Sequence, residues 1–118
     1  MEVYREFSFD AAHLLPGVTP GHSCSRMHGH TFRVVVTLEG DVGAESGWVR
    51  DFGELKEACR PVIDQLDHTF LNDIPGLENP TSENLAVWIW NRLKTRLPEL
   101  SMVEVGETPS TGCRYRGD

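Results

Sequence analysis

Two long stretches of alternating side chains constrain the fold of this chain most strongly. From Val3 to Leu14 every second residue falls on one face, and the same alternation holds from Gly29 to Leu38. A period of two is typical of a β-strand, because successive side chains of a strand point to opposite faces of a sheet. The pattern therefore predicts two long strands, which we expect to pair antiparallel across the polar loop between them.

Two helices are predicted in the middle of the chain. Asp51, with Glu54 three residues later, resembles a capping box, and apolar residues then recur at helical spacing to residue 66. Pro61 lies inside this segment, and we expect it to bend or shorten the helix. The second helix begins after Pro80, where Thr81 or Ser82 can cap it, and it stops before Pro98.

Two further strands, over residues 102–108 and 113–116, complete the predicted order β-β-α-α-β-β. This order predicts an α+β fold with a four-stranded antiparallel sheet and two helices on one face. No repeat, linker or low-complexity tract divides the chain, so we expect residues 1–118 to form a single domain. A four-stranded sheet has open edges, and we therefore expect a homo-oligomer.

Composition excludes several classes of protein. Eleven Lys and Arg against 18 Asp and Glu give a formal net charge of −7, which disfavours a nucleic-acid partner but leaves room for a small basic pocket. No apolar run approaches the roughly 18 residues of a membrane span, and the first residues show no signal-peptide core. Three widely spaced cysteines without a C-x-x-C pair favour a reducing, cytoplasmic location.

The sharpest local signal is His28-Gly29-His30. Residues i and i+2 of a strand share a face, so both imidazoles can converge on one ion, and His13 on the preceding strand could add a third nitrogen. Three neutral imidazoles suit Zn²⁺ and leave a coordination position open for water or substrate. The alternative is a turn with two histidines beside a hydrogen-bonded sheet residue.

Cys24 lies four residues before His28 and has two functional interpretations. It could complete a closed His-His-His-Cys zinc site, or it could stay off the metal as a thiolate base. Asp67-His68 directly follows the first helix and could form a proton relay, although a simple cap interaction is the interpretation that the sequence alone favours.

Glu107 shares a strand face with Val103 and Val105, so a carboxylate ends an apolar stripe. A buried carboxylate needs hydrogen-bond donors, and the guanidine-like edge of a pterin or guanine offers a matched pair of them. The alternative is a solvated acid at the end of the strand.

Several motifs taken together resemble a known family. F-S-F-D-A-A-H, C-S-R-M-H-G-H, L-D-H-T-F-L-N-D, N-P-T-S-E-N and V-G-E-T occur in this order and resemble the 6-pyruvoyl-tetrahydropterin synthase superfamily over essentially the whole chain. The short spacing from Cys24 to His28 resembles the bacterial branch that makes 6-carboxy-5,6,7,8-tetrahydropterin. The resemblance implies a tunnelling fold that assembles into trimers and hexamers, with active sites at subunit interfaces.

The resemblance also implies roles for individual residues. The zinc ligands would be His13, His28 and His30. The proton-transfer group would be Cys24, Asp67 and His68. Glu107, with Thr108 beside it, would anchor the pyrimidine ring of the pterin, and Arg26 is a candidate for the triphosphate, with Arg114 and Arg116 less certain.

The implied reaction converts 7,8-dihydroneopterin triphosphate and water to 6-carboxy-tetrahydropterin, acetaldehyde and triphosphate, in the 7-deazaguanine pathway towards queuosine. One alternative is formation of 6-pyruvoyl-tetrahydropterin or cleavage of a related pterin side chain. A more distant alternative is a non-catalytic binding module stabilised by zinc.

Overall fold

A five-stranded sheet with two helices packed on one face makes up the structure, a computed structural model that describes residues 1–118. Its elements in chain order are β1 (Glu2–His13), β2 (His28–Glu39), α1 (Phe52–Leu66), β3 (Thr69–Phe70), α2 (Ser82–Leu93), β4 (Leu100–Thr108) and β5 (Thr111–Tyr115). The α+β class expected from the sequence is confirmed.

The two long strands pair antiparallel over their whole length, as predicted. The register sets His13 opposite His28 at one end of the ribbon and Glu2 opposite Glu39 at the other. The sheet order is β3-β1-β2-β4-β5, and β4 continues the antiparallel pairing on the far side of β2. All three histidines of the predicted metal site therefore lie at the same end of neighbouring strands.

The expected count of four antiparallel strands was wrong by one. The additional strand is β3, which pairs parallel to β1 through Ala11↔Thr69 and Ala12↔Phe70. Two residues are too few to show any alternation, and the pair follows directly after α1. Its place in the sheet is therefore visible only once the chain has folded.

Both helices begin at the predicted caps. The Asp51 side chain accepts a hydrogen bond from the Gly53 amide at the start of α1, and the Thr81 side chain accepts one from the Asn84 amide at the start of α2. Contrary to expectation, Pro61 does not shorten α1, which runs to Leu66. Burial of the apolar stripe of this helix, which includes Leu55 and Ile63, offsets the hydrogen bond that proline removes.

The helices cover one face of the sheet and leave the other open. Side chains on the covered face, such as Phe9, Phe32 and Val34, join a hydrophobic cluster of 24 buried residues. His13 continues this row at the end of β1 and is fully buried. Neither helix combines the length and apolar character needed to cross a bilayer. The fold thus places an imidazole at the edge of an apolar core.

Candidate metal centre and active site

Three imidazoles meet where the ends of β1 and β2 lie side by side. One ring nitrogen from each of His13, His28 and His30 lies within 4.8 Å of the others. The ring centroids are 4.5 Å apart for His13 and His28, 5.2 Å for His13 and His30, and 4.9 Å for His28 and His30. The strand register produces this cluster, because His13 faces His28 and His30 follows two residues later on the same face.

Backbone carbonyls determine the tautomers of two of these rings. Nδ1 of His13 lies 2.8 Å from the Pro80 carbonyl oxygen, and Nδ1 of His28 lies 2.7 Å from the Arg26 carbonyl oxygen. A carbonyl can only accept, so each Nδ1 carries the proton and each Nε2 presents a lone pair. This is the arrangement in which metal-binding histidines are usually held.

Two nitrogens in the cluster are buried without a hydrogen-bond partner, namely Nε2 of His13 and Nε2 of His30. Orphaned buried polar atoms are rare in folded proteins and need an explanation. Burial lowers the pKa of His13, against the opposing effect of its bond to Pro80, so this ring is neutral at neutral pH. Neutral imidazoles with free lone pairs are the donor set that a divalent metal such as Zn²⁺ requires, and the three residues fit such an ion.

Cys24 does not belong to this donor group. It lies partly buried in a short 3₁₀ helix over Ser23–Ser25, where its amide donates to Nδ1 of His22 and its carbonyl accepts from the Leu15 amide at 2.8 Å. The donor cluster contains the three histidines alone. A closed site with a sulfur ligand is therefore not the arrangement in this structure.

Glu107 lies beside the cluster at the end of β4. Its Oε2 is 3.7 Å from Nε2 of His30, and its Oε1 accepts a hydrogen bond of 2.9 Å from the Ser82 hydroxyl. The side chain is 26% exposed, so the carboxylate is neither in the core nor fully solvated. Together with His30, Thr31 and Thr108 it lines a cleft at the ends of the paired strands β2 and β4. A ligand in this cleft would touch the carboxylate and the imidazole together.

Asp67 and His68 form a pair on the edge of the sheet beside β1. Nδ1 of His68 lies 3.0 Å from Oδ1 of Asp67, and the same oxygen accepts from the Asp10 amide at 3.0 Å. The His68 amide in turn donates to the Asp10 carbonyl at 2.7 Å, which holds His68 at a φ of 58°. The Asp10 amide, with the neighbouring His68 ring, lowers the pKa of Asp67.

This pair makes no hydrogen bond or ion pair with the histidine cluster. The His68 side chain is 79% exposed and points its free nitrogen away from its carboxylate partner. Within one chain, two of the three residues predicted to transfer protons, Asp67 and His68, are therefore presented to the surface.

Of the arginines predicted for the triphosphate, Arg114 and Arg116 line one surface pocket, and Arg26 is not part of it. Arg26 is exposed and contributes only its carbonyl to the His28 ring. Arg114 is bound to Glu104, on the open face of the sheet, through a hydrogen bond of 2.7 Å. Thr108 is exposed and its hydroxyl is hydrogen-bonded to that of Thr111 at 2.6 Å.

The groups that support these side chains are not predicted from the sequence. The pattern at Pro80, Thr81 and Ser82 predicts a helix start, yet the Pro80 carbonyl also holds His13 and the Ser82 hydroxyl holds Glu107. The run N-P-T-S-E-N is a signal that could have pointed to Ser82, because it recurs among the motifs of the resembled family. Nothing in the sequence marks the carbonyl of Pro80 as special.

The fold and the site together define an α+β protein with an open, three-histidine donor set beside a carboxylate. Residues 2–118 match the model of a protein family described as "6-pyruvoyl tetrahydropterin synthase". The chain belongs to this family, and it is an enzyme.

Relatives in the family carry different names. A Synechocystis protein called 6-carboxy-5,6,7,8-tetrahydropterin synthase is 45% identical, over 96% of this chain and 91% of its own. A Pyrococcus furiosus protein called dihydroneopterin monophosphate aldolase is 42% identical, over 81% of this chain and 76% of its own. The structure of Caenorhabditis elegans 6-pyruvoyl tetrahydropterin synthase superposes with a TM-score of 0.92 at 30% identity, covering 100% of this chain and 96% of the other.

Proposed function

We propose that this protein is a zinc-dependent carbon–carbon lyase. It converts 7,8-dihydroneopterin triphosphate and water to 6-carboxy-5,6,7,8-tetrahydropterin, acetaldehyde and triphosphate, a step of 7-deazaguanine (queuosine) biosynthesis. The observation that carries the proposal is the open histidine cluster with Glu107 3.7 Å from His30. The 45% identity to the Synechocystis relative of that name supports this choice of reaction.

In this proposal the metal is held by Nε2 of His13 and Nε2 of His28, together with the His30 ring. Zinc bound there supplies a Lewis acid with a position open to substrate. The protein's own contribution is to keep the rings fixed, since the carbonyls of Pro80 and Arg26 hold both Nδ1 protons.

Glu107 orients the substrate. Its carboxylate can accept two N–H groups from the guanidine-like edge of a pterin, and such charge-assisted pairs are among the strongest hydrogen bonds in proteins. The Ser82 hydroxyl fixes the plane of the carboxylate by holding Oε1. With the ring so anchored, the side chain of the pterin faces the histidine cluster, and Thr108 lines the same cleft.

Cys24 and His68 move protons in opposite directions. Cys24 stays outside the donor set, so its Sγ is free to take a proton as a thiolate. Nδ1 of His68 is held by Asp67, which leaves Nε2 of the exposed ring to exchange the second proton. Arg26 is the proposed contact for the triphosphate, which leaves as the side chain is cleaved.

We also propose that the active enzyme is a homo-oligomer, a trimer or hexamer, formed by copies of one 118-residue domain. The exposed Asp67–His68 pair then serves a site shared between subunits. The three cysteines are free thiols, which supports a cytoplasmic location.

A second candidate is cleavage of a related pterin, favoured by the 42% identity to the aldolase from Pyrococcus furiosus. Formation of 6-pyruvoyl-tetrahydropterin is a third, since the Caenorhabditis elegans structure carries that name. The fate of the side-chain carbons distinguishes the three reactions. The proposed lyase releases acetaldehyde, cleavage of a related pterin releases a different fragment, and formation of 6-pyruvoyl-tetrahydropterin releases no carbon fragment.

The test uses metal-free protein, reconstituted with zinc, and follows acetaldehyde release from 7,8-dihydroneopterin triphosphate. We expect one zinc per chain and turnover that depends on it. His28→Ala should lose both, whereas Cys24→Ala should keep its zinc and lose about 10²- to 10⁴-fold in kcat, the usual contribution of a proton-transfer group. Zinc retained by His28→Ala would contradict the ligand set, and zinc lost by Cys24→Ala would favour a closed structural site.

A further inference from the structure

One side-chain amide outside the proposed machinery joins two segments of backbone next to the metal site. Asn72 lies in a short 3₁₀ helix over Leu71–Asp73 and is partly buried. Its Oδ1 accepts from the Leu14 amide at 3.0 Å, and its Nδ2 donates to the Leu14 carbonyl at 2.9 Å. Nδ2 also donates a hydrogen bond of 3.3 Å to the Glu78 carbonyl.

The two hydrogen bonds between Asn72 and Leu14 take the place of strand pairing just beyond the end of β1, where the pairing of β1 with β2 has stopped. The pairing of β1 with β2 stops at His13↔His28, so Leu14 has no strand partner for its amide and carbonyl. The Asn72 side chain satisfies both groups, as a neighbouring strand would. The backbone on the C-terminal side of His13 is thereby fixed, and the next amide, that of Leu15, is directed to the Cys24 carbonyl at 2.8 Å.

The bond to Glu78 reaches a second support of the same imidazole. Glu78 lies two residues before Pro80, whose carbonyl accepts from Nδ1 of His13 at 2.8 Å. Two residues span at most about 7 Å of chain, so holding one carbonyl limits the movement of the other. Asn72 therefore contacts both the backbone beside His13 and the loop that selects the tautomer of its ring.

We propose that Asn72 is a positioning residue for the metal ligand His13. The inference rests on the proposed zinc site and extends it to a side chain that touches neither metal nor substrate. Loss of a group hydrogen-bonded to a ligating histidine typically weakens metal binding about 10- to 100-fold, and because Asn72 acts one contact further out we expect a loss of about 10-fold for Asn72→Ala. The effect is on the folded protein's affinity for zinc and not on folding alone.

The experiment measures the zinc dissociation constant of the full chain by competition with a chromogenic chelator, after metal removal. Circular dichroism and denaturant unfolding of the metal-free proteins establish conditions in which every variant is folded. Asn72→Ser is tested beside Asn72→Ala, because the small hydroxyl preserves a polar group yet is too short to bond both segments. The control is Ser101→Ala, which removes a side-chain bond of 3.2 Å to the Thr37 carbonyl, remote from the site.

We expect weaker zinc binding for both Asn72 variants and wild-type affinity for Ser101→Ala. Wild-type affinity in a folded Asn72 variant, with binding still lost in His28→Ala, would overturn this proposal and leave the zinc site intact. Equal zinc binding by His28→Ala and the wild type would overturn the zinc site and this proposal with it.

Discussion

At the scale of single residues, the position of a proton on an imidazole decides what the site can hold. The carbonyls of Pro80 and Arg26 place protons on Nδ1 of His13 and His28, and the opposite nitrogens face one another. Burial of the His13 ring favours its neutral form. The same rings without these carbonyls could adopt either tautomer, and a metal would bind less well because the rings would have to reorder.

Removal of the carboxylate in Glu107→Ala should mainly weaken substrate binding. A hydrogen bond to a charged group contributes about 1.5–3 kcal/mol, so we expect KM to rise about 10- to 100-fold while zinc content stays at the wild-type level. Steady-state kinetics and metal analysis measure the two effects. Ser82→Ala should shift KM in the same direction but less, since it loosens the carboxylate without removing it. An unchanged KM in Glu107→Ala would remove its anchoring role.

At the scale of elements, alternation and capping predicted the long strands and both helices. The predicted strand over 113–116 begins two residues earlier in the structure, and β4 begins at Leu100 instead of Met102. At the start of β4, a register shift between Thr37 and Leu38 precedes the pairing of Leu38 with Leu100. At the start of β5, a register shift between Val105 and Thr108 precedes the pairing of Thr108 with Thr111. Short-range patterns therefore located the elements, whereas their exact bounds depend on the pairing of strands.

The candidate site was predictable in its side chains but not in its supports. His13, His28 and His30 could be placed on one face from spacing alone. A carbonyl is the same on every residue, so its role in holding an imidazole follows only from the path of the chain through Pro80 or Arg26. The contact of Asp67 with the Asp10 amide joins residues 57 positions apart and is equally hidden in the sequence.

The open face of the sheet carries a charge network that should make stability depend on pH. Glu104 on β4 accepts from Arg33 on β2 at 3.1 Å and from Arg114 on β5 at 2.7 Å. Partial burial raises the pKa of Glu104, but the two arginines outweigh it and the net shift is downward. A carboxyl whose pKa is lower in the folded state stabilises the fold above its unfolded pKa, and this contribution disappears as the pH falls through the folded pKa.

Glu104→Gln should therefore reduce the free energy of unfolding by about 1 kcal/mol at pH 7, a modest value because Arg114 is mostly exposed. The difference from the wild type should shrink below about pH 4. Denaturant unfolding of both proteins across this pH range measures the difference in their free energy of unfolding. Glu6→Gln is a matched control, since Glu6 is 58% exposed and 3.4 Å from Arg33, and should have a smaller effect. A difference that is the same at pH 3 and pH 7 would contradict the linkage.

At the scale of the whole molecule, the chain is elongated. It measures 57 × 24 × 22 Å, and its radius of gyration of 15.3 Å exceeds the roughly 13.5 Å expected for a compact domain of this length. β3 pairs with only two residues of β1, and β5 has no further neighbour, so both sides of the sheet present unpaired strand edges. Elongation, open edges and an uncovered face all favour assembly with further copies.

Mixing two inactive variants tests whether active sites are shared between copies. His28→Ala and His68→Ala alter the histidine cluster and the exposed pair, respectively. If the histidine cluster and the exposed pair of one site come from two different subunits, co-refolded mixtures should regain roughly a quarter of wild-type activity. In an equal mixture, that fraction of sites receives both groups intact. Sedimentation analysis confirms mixing. Activity that stays at the level of the separate variants would indicate that each chain supplies both groups to its own site.

Mass spectrometry of the products that zinc-loaded protein forms from 7,8-dihydroneopterin triphosphate tests the proposed reaction itself. We expect 6-carboxy-5,6,7,8-tetrahydropterin together with acetaldehyde and triphosphate. A 6-pyruvoyl product, or a two-carbon fragment other than acetaldehyde, would contradict the proposed reaction while leaving the family unchanged. Fully zinc-loaded protein with no turnover would contradict the proposed substrate.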